Sequence, residues 1–236
     1  MTVSTLGRRA VLAGAAAVAG CAGTAPPVAA RPALDSQRQG FLLFNARISA
    51  ASAEAFANQV NQLVAINPVG LTVYINSPGG ALRPAQDMGA LLTRLQGQGI
   101  SITTHNAGFV ASAANFLFLA ANRRLSVPQG TFLFHQPSVT GTLTATEIQE
   151  LSVQYQSVEK GLIDTLLRRT RLNAADAATF VRRTVILSAE EARRDGVIEA
   201  VAAIAIANGT PVSAIVNTPA RPFPAPTPPT GAASTP

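Results

Sequence analysis

The chain has 236 residues, of which 47% are hydrophobic and 13% charged, enough for one well-buried domain with about fifty residues left over as appendages. Its net charge of +6 comes with only 5% aromatics, and its arginines are dispersed or paired (168–169, 182–183, 193–194) on expected helix surfaces. That pattern is a solvated surface and not a phosphate track, so no nucleic-acid partner is expected. A single cysteine, Cys21, excludes an intrachain disulfide.

Residues 1–21 read as an export signal: Arg8-Arg9, an Ala/Gly-rich apolar stretch from 10 to 20, then Cys21. The twin arginine with its weakly hydrophobic core resembles the twin-arginine export signal of bacteria. Val18-Ala19-Gly20-Cys21 resembles a lipobox, which implies acylation of Cys21 and a lipid anchor on the periplasmic side of a bacterial membrane. The plain alternative is a buried cysteine in an N-terminal helix. An apolar run of about eleven residues is too short to span a bilayer as an ordinary helix. Residues 22–40, rich in Ala, Pro and Gly, suit a flexible tether, and the folded domain is expected over 41–208.

Within it, Phe41 to Phe44 is a short β-prone run. Ala55, Phe56, Val60 and Leu63 then mark an amphipathic helix over 51–64. Leu71 to Ile75 is apolar on both faces, as in a strand covered by helices on each side of its sheet, and ends in Ser77-Pro78-Gly79-Gly80. Residues 84–97 put Met88, Leu91, Leu92 and Leu95 on one helical face, and Ile100 to Thr103 is the next strand. The alternation predicts βαβ-type units and an α/β fold.

Residues 104–137 carry the chemistry. Ser112 sits in a small-residue turn, Gly108-Phe109-Val110-Ala111-Ser112, ahead of an apolar helix-like run over 113–121. Thr131 to Phe134 then delivers His135 at a loop, and Pro137 keeps the strand from continuing. A serine hydroxyl is a weak nucleophile until a base takes its proton, and small neighbours let substrate approach. Glycines at the end of the preceding strand free backbone N–H groups for a developing oxyanion. A helix N-terminus behind the serine would favour the same negative charge. The bland reading of Ser112 is one more small residue at an Ala-rich helix start, and of His135 a structural histidine beside a strand.

Past His135, residues 138–143 are turn-like and Thr144 with Glu147 forms a capping box. A long helix is expected over 145–169, with Ile148, Leu151, Tyr155, Val158, Leu162 and Leu166 at mixed three- and four-residue spacing, extending beyond its own core. A helix over 173–182, a short strand at Val185-Ile186-Leu187 and a brief helix capped by Ser188 and Glu191 complete the domain. Residues 209–236, dominated by Pro, Thr, Ala and Ser, read as a disordered tail.

YINSPGG (74–80), G-x-x-x-S (108–112), FHQP (134–137), ATEIQ (145–149) and LSAEEARRDGVIEAV (187–201) together resemble the Clp protease proteolytic subunit, in the family's order and over roughly residues 41–201. The resemblance implies the Clp/crotonase fold of repeated ββα units with a long handle helix, a homo-oligomeric ring, and serine-type hydrolysis of peptide bonds. It implies Ser112 as nucleophile, His135 as general base, and Gly80 with the backbone N–H of Ala113 as oxyanion hole. Backbone at 80–82 would pair with substrate as an added strand. Neither metal nor cofactor is expected. His105, the other histidine, is read as a neighbour of the turn without a role. The Ser-to-His separation of 23 residues is slightly short for the family, and a loop at 121–124 would absorb the difference.

An ungapped match places the family's aspartate at Thr184, so the third member of the triad is a hydroxyl, and weak or lost activity is the expectation. Family members work with an ATP-driven unfoldase. An exported chain without a P-loop would instead act independently of ATP, on peptides or loosened proteins. Two other readings stay open: a weak or inactive oligomeric scaffold or binding lipoprotein of the same fold, and a crotonase-like acyl-CoA enzyme.

Overall fold

A computed structural model describes residues 39–66, 68–138, 142–206, 210 and 212–216. The expected signal, Cys21, the tether up to residue 38 and the end of the tail therefore lie outside the described residues, while Gln39 and Gly40, expected in the tether, already belong to the first strand. Chain order is β1 (Gln39–Asn45), α1 (Ala50–Ala65), β2 (Gly70–Ser77), α2 (Leu82–Gly97), β3 (Ser101–Ala111), α3 (Ala114–Leu119), β4 (Arg123–Ser126) and β5 (Thr131–Phe134). It continues with α4 (Ala145–Arg169), α5 (Ala174–Arg182), β6 (Val185–Ser188), α6 (Ala189–Arg194), β7 (Ala200–Val201) and β8 (Val212–Val216).

One sheet runs β6-β5-β3-β2-β1-β8, with β4 and β7 branching from β3. Every pairing is parallel except β5 with β6. Parallel neighbours require crossovers, and the helices between strands supply them. Central β2 is buried on both faces at Leu71, Val73, Tyr74 and Ile75, as its apolar residues on both faces predict. Two helices pack against the same core: α1 through Phe56, Val60 and Leu63, and α2 through Met88, Leu91, Leu92 and Leu95.

The branch arises inside β3. Its first half, Thr103–Asn106, pairs with β4, and its last residues, Phe109–Ala111, pair with β5. Between them the ladder slips: β2 advances from Ile75 to Ser77 while β3 advances from Asn106 to Val110. A bulge of this kind strands backbone amides. Here Asn106 Oδ1 accepts from Gly108 N–H at 2.9 Å and Asn76 Oδ1 from Phe109 N–H at 3.0 Å. Asn76 Nδ2 in turn donates to Asn45 Oδ1, and Asn106 Nδ2 to the Thr131 carbonyl, both at 2.9 Å.

Several boundaries differ from expectation. β3 reaches Ala111 instead of ending at Thr103, because asparagines satisfy the bulge and let the strand resume. The segment expected as a loop at 121–124 contains the start of β4. There Arg124 is buried, and its guanidinium donates to the carbonyls of Ala121, Val197, Gly196 and Arg169, the last at the end of α4. The expected tail begins with a strand: Val212–Val216 pairs with β1, and Ile215 joins the core. Its Val-Ser-Ala-Ile-Val run is β-prone and short, so the Pro/Thr-rich surroundings masked it. The long helix spans 145–169 as expected, with its capping box at Thr144 and Glu147. Only Leu162 and Leu166 of α4 are buried, while Ile148 and Val153 are 56% and 65% exposed.

Candidate active site

Three adjacent parallel strands, β2, β3 and β5, end at one edge of the sheet, where Ser77 faces Val110 and Val110 faces Phe132. The carboxyl edge of a parallel sheet is where such folds gather their site residues. The glycines follow β2, Ser112 follows β3 and His135 follows β5, so topology alone brings the three expected segments together.

Ser112 occupies a strand–turn–helix corner with φ = 55°, the one left-handed non-glycine residue among those described. This conformation costs a residue bearing Cβ about 1–2 kcal/mol and persists where its surroundings hold it. The surroundings here are specific. Ser112 N–H donates to the Leu133 carbonyl at 2.9 Å, and buried Asn115 donates through Nδ2 to the carbonyls of both Ser112 (3.0 Å) and Leu133 (2.9 Å). The corner is thereby tied to the strand that carries His135. Gly79, at φ = 83°, lies against it: a Cβ there would sit 2.8 Å from Ser112 Cβ and 2.9 Å from Ala113 N. Helix α3 has only six residues, so its dipole contributes less to the serine's surroundings than a full-length helix would.

The amides proposed for the oxyanion are free of the fold. Ile48 bridges Gly80 in parallel sense: Ile48 N–H donates to the Gly79 carbonyl at 2.8 Å and Ala81 N–H to the Ile48 carbonyl at 2.9 Å. In that pattern the bridged residue's own N–H points away from its partner. Neither Gly80 N–H nor Ala113 N–H donates to an acceptor among the described residues. Helix α2 begins at Leu82, with Pro84 accommodated in its first turn. Ala81 N–H is held by Ile48 and its carbonyl accepts from Ala85 N–H at 3.3 Å, so the backbone open to a substrate strand is limited to Gly80, shorter than the expected 80–82.

Gly80, Ser112, Ala113 and His135 line one cleft of about 450 Å³. Its remaining walls include Leu82, Phe116, Pro137, Tyr155 and Arg47. No hydrogen bond joins Ser112 to His135. His135 Nδ1 lies 2.7 Å from the carbonyl of Gln136; a carbonyl only accepts, so this contact requires a proton on Nδ1, and the neutral ring then carries its lone pair on Nε2. Thr184 directly precedes Val185, which pairs with Phe134 across the β5–β6 ladder, so its backbone stands opposite His135. Its side chain is exposed, makes no hydrogen bond to His135 and is not among the cleft walls. His105 is buried within β3 against Tyr74 and the Ala202 carbonyl (3.0 Å), outside the cleft. Burial pushes its pKa below 6.5, against the opposing pull of that carbonyl.

Sequence reasoning missed Asn76, Asn106 and Asn115, which hold the site, and the cleft walls Arg47 and Tyr155. Asparagine is disfavoured inside strands, so Asn76 and Asn106 at the ends of β-prone runs were the available signal of a bulge. Arg47 and Tyr155 come from distant segments and carried no local signal.

A serine in a strained strand–turn–helix corner, sharing a cleft with a histidine and two unengaged amides at the edge of a parallel sheet, has the layout of serine acyl-transfer sites in α/β folds. Residues 33–205 match the Clp protease family, and the chain belongs to that family, whose Clp/crotonase-like α/β organisation the sheet displays. It is 31% identical over 166 residues to the ATP-dependent Clp protease proteolytic subunit 1 of Mycolicibacterium paratuberculosis, covering 68% of this chain and 77% of the relative. It is 32% identical to proteolytic subunit 2 of Mycobacterium leprae, covering 68% and 76%. Identity is 31% with proteolytic subunit 1 of Rhodococcus jostii, covering 67% and 72%.

Proposed function

We propose that the chain is a serine-type endopeptidase that cleaves peptide bonds through an acyl-enzyme on Ser112, with His135 as general base. The observation that carries this reading is the convergence of left-handed Ser112, His135 and the free Gly80 and Ala113 amides on one cleft. His135 Nε2 takes the Ser112 proton as Oγ bonds to the substrate carbonyl carbon, and the resulting oxyanion accepts from the two amides. Collapse breaks the C–N bond, and the amine leaves with the proton from Nε2. Water, deprotonated by the same nitrogen, then attacks the ester and releases the acid and Ser112.

In this reading the Gln136 carbonyl orients the imidazole in place of the family's aspartate. It holds the useful tautomer but supplies no full negative charge for the imidazolium, so turnover is slow. Thr184, opposite in register, is the position from which an acid would act. The lack of any carboxylate at His135 among the described residues also favours a second reading, a weak or inactive oligomeric scaffold of the same fold.

The N-terminal pattern supports export and anchoring through acylated Cys21 on the periplasmic side of a bacterial membrane, where cleavage would proceed without an ATPase on peptides or loosened proteins. A homo-oligomeric ring would cover the exposed Ile148 and Val153 of α4. The test is peptide and ester hydrolysis by wild type, Ser112→Ala, His135→Ala and the double variant. The dyad acts as a unit if each single variant loses nearly as much as the double. Undiminished hydrolysis in either single variant overturns the mechanism.

A further inference from the structure

Arg47 has no part in the acyl-transfer chemistry, yet it forms a wall of the same cleft. Its neighbours Ala46 and Ile48 are buried, at 2% and 1% exposure, so the extended chain turns the Arg47 side chain the other way, toward solvent. The backbone is fixed on both sides. Ser77 Oγ donates to the Ala46 carbonyl at 2.7 Å, Ser52 Oγ to the Arg47 carbonyl at 3.0 Å, and Ile48 makes the bridge that sets Gly80. The bonds that aim the oxyanion donor therefore also position Arg47.

The guanidinium itself makes no hydrogen bond or ion pair among the described residues. Arg83, on the neighbouring first turn of α2, differs: its side chain is paired with Asp87 at 3.0 Å. The other named walls, Leu82, Phe116, Pro137 and Tyr155, are uncharged, and no acidic side chain among the described residues lines the cleft. An exposed, unpaired cation on a backbone held in place, beside a cleft that no acidic side chain lines, discriminates by charge, and guanidinium binds carboxylate in a two-point geometry that ammonium does not reproduce.

Building on the peptidase reading, we propose that Arg47 selects substrates carrying a carboxylate close to the scissile bond. That carboxylate is either the side chain of Asp or Glu or the free C-terminus of a short peptide. A charge-assisted contact in a partly open cleft favours the acidic ligand by roughly three- to thirtyfold over its neutral isostere. Salt weakens the preference, because the site is not sealed.

The test measures binding separately from cleavage. Fluorescent peptides bearing Glu or Gln beside the same central bond, with both ends blocked, are titrated by anisotropy against Ser112→Ala protein. The same protein is then studied with Arg47→Gln, Arg47→Lys or Arg47→Glu added. A second pair of short peptides, with free or amidated C-termini and no acidic side chain, separates the two sources of carboxylate. Expected are tighter binding of Glu than Gln or of free acid than amide, loss of that preference in Arg47→Gln, partial retention in Arg47→Lys, and its reversal toward a Lys peptide in Arg47→Glu. Equal affinities throughout, or a preference untouched by Arg47→Glu, overturn the proposal. The wild-type chain is run in parallel for cleavage. Charge-selective binding without cleavage upholds Arg47 and refutes the peptidase reading, whereas cleavage indifferent to charge does the reverse.

Discussion

Gly79→Ala tests the close approach that builds the site. Gly79 sits at φ = 83°, and an added Cβ would lie 2.5 Å from the Ala111 carbonyl oxygen, 2.8 Å from Ser112 Cβ and 2.9 Å from Ala113 N. Ordinary contact between such atoms is about 3.5–4.0 Å, so the loops must part by roughly 0.5–1 Å. The left-handed backbone adds about 1–2 kcal/mol for an alanine. A destabilisation of about 2–4 kcal/mol is expected from the two effects together, small enough for a well-buried domain to remain folded at moderate temperature. The chemical effect should be larger, because the displaced atoms include the nucleophile's own carbon and one oxyanion donor. A misplacement of about 1 Å costs on the order of a hundredfold in rate. Urea unfolding would measure the first quantity, and acylation by a chromogenic ester the second, at a concentration where circular dichroism shows the variant folded. A folded Gly79→Ala protein that acylates at the wild-type rate would refute the claim that this contact sets the geometry of Ser112.

Thr184→Asp should raise the acylation rate by about ten- to a thousandfold if a carboxylate there reaches Nδ1 and stabilises the imidazolium. Arg182 is already held by Glu159 at 2.7 Å, which leaves Arg183 as the adjacent competitor, and ester hydrolysis beside Thr184→Ala decides the outcome. Asn115→Ala removes the side-chain donor to the Ser112 and Leu133 carbonyls and should lower stability by about 1–3 kcal/mol; an unchanged urea midpoint would contradict this. His105, depressed below 6.5 by burial, binds fewer protons folded than unfolded. Its contribution to stability is therefore present above pH 6.5 and lost as pH falls through its lower folded value, and His105→Phe should flatten this part of a urea-midpoint profile. Cys21→Ser should abolish lipidation and Arg8→Lys with Arg9→Lys should block export, both read by fractionation and mass spectrometry of the protein from its native cell.

Much of the fold was legible because its signals are local. The two-faced apolar run of β2, the 3.6-residue spacing in α1 and α2, and the Thr144–Glu147 capping box each declare an element without reference to the rest. The cleft was legible for a different reason: parallel strands end at one edge, so the segments after β2, β3 and β5 had to meet. The hidden features were non-local. The division of β3 between two partners depends on Asn76 reaching a stranded amide across strands, while Asn106 takes one in its own strand and ties it to β5 through the Thr131 carbonyl. Strand β8 depends on pairing with β1, more than 160 residues earlier. The orientation of His135 depends on a carbonyl that every residue possesses, which no residue type can announce.

The central claim is that Ser112 is a nucleophile activated by His135. The direct measurement is labelling of the purified, assembled protein with a fluorophosphonate, followed by peptide mapping of the adduct. The predicted result is one adduct on Ser112, none in Ser112→Ala, and a rate in His135→Ala lower by about a hundredfold or more. Absence of adduct from folded wild type, an adduct on another residue, or labelling of Ser112 at an equal rate without His135 would contradict the claim.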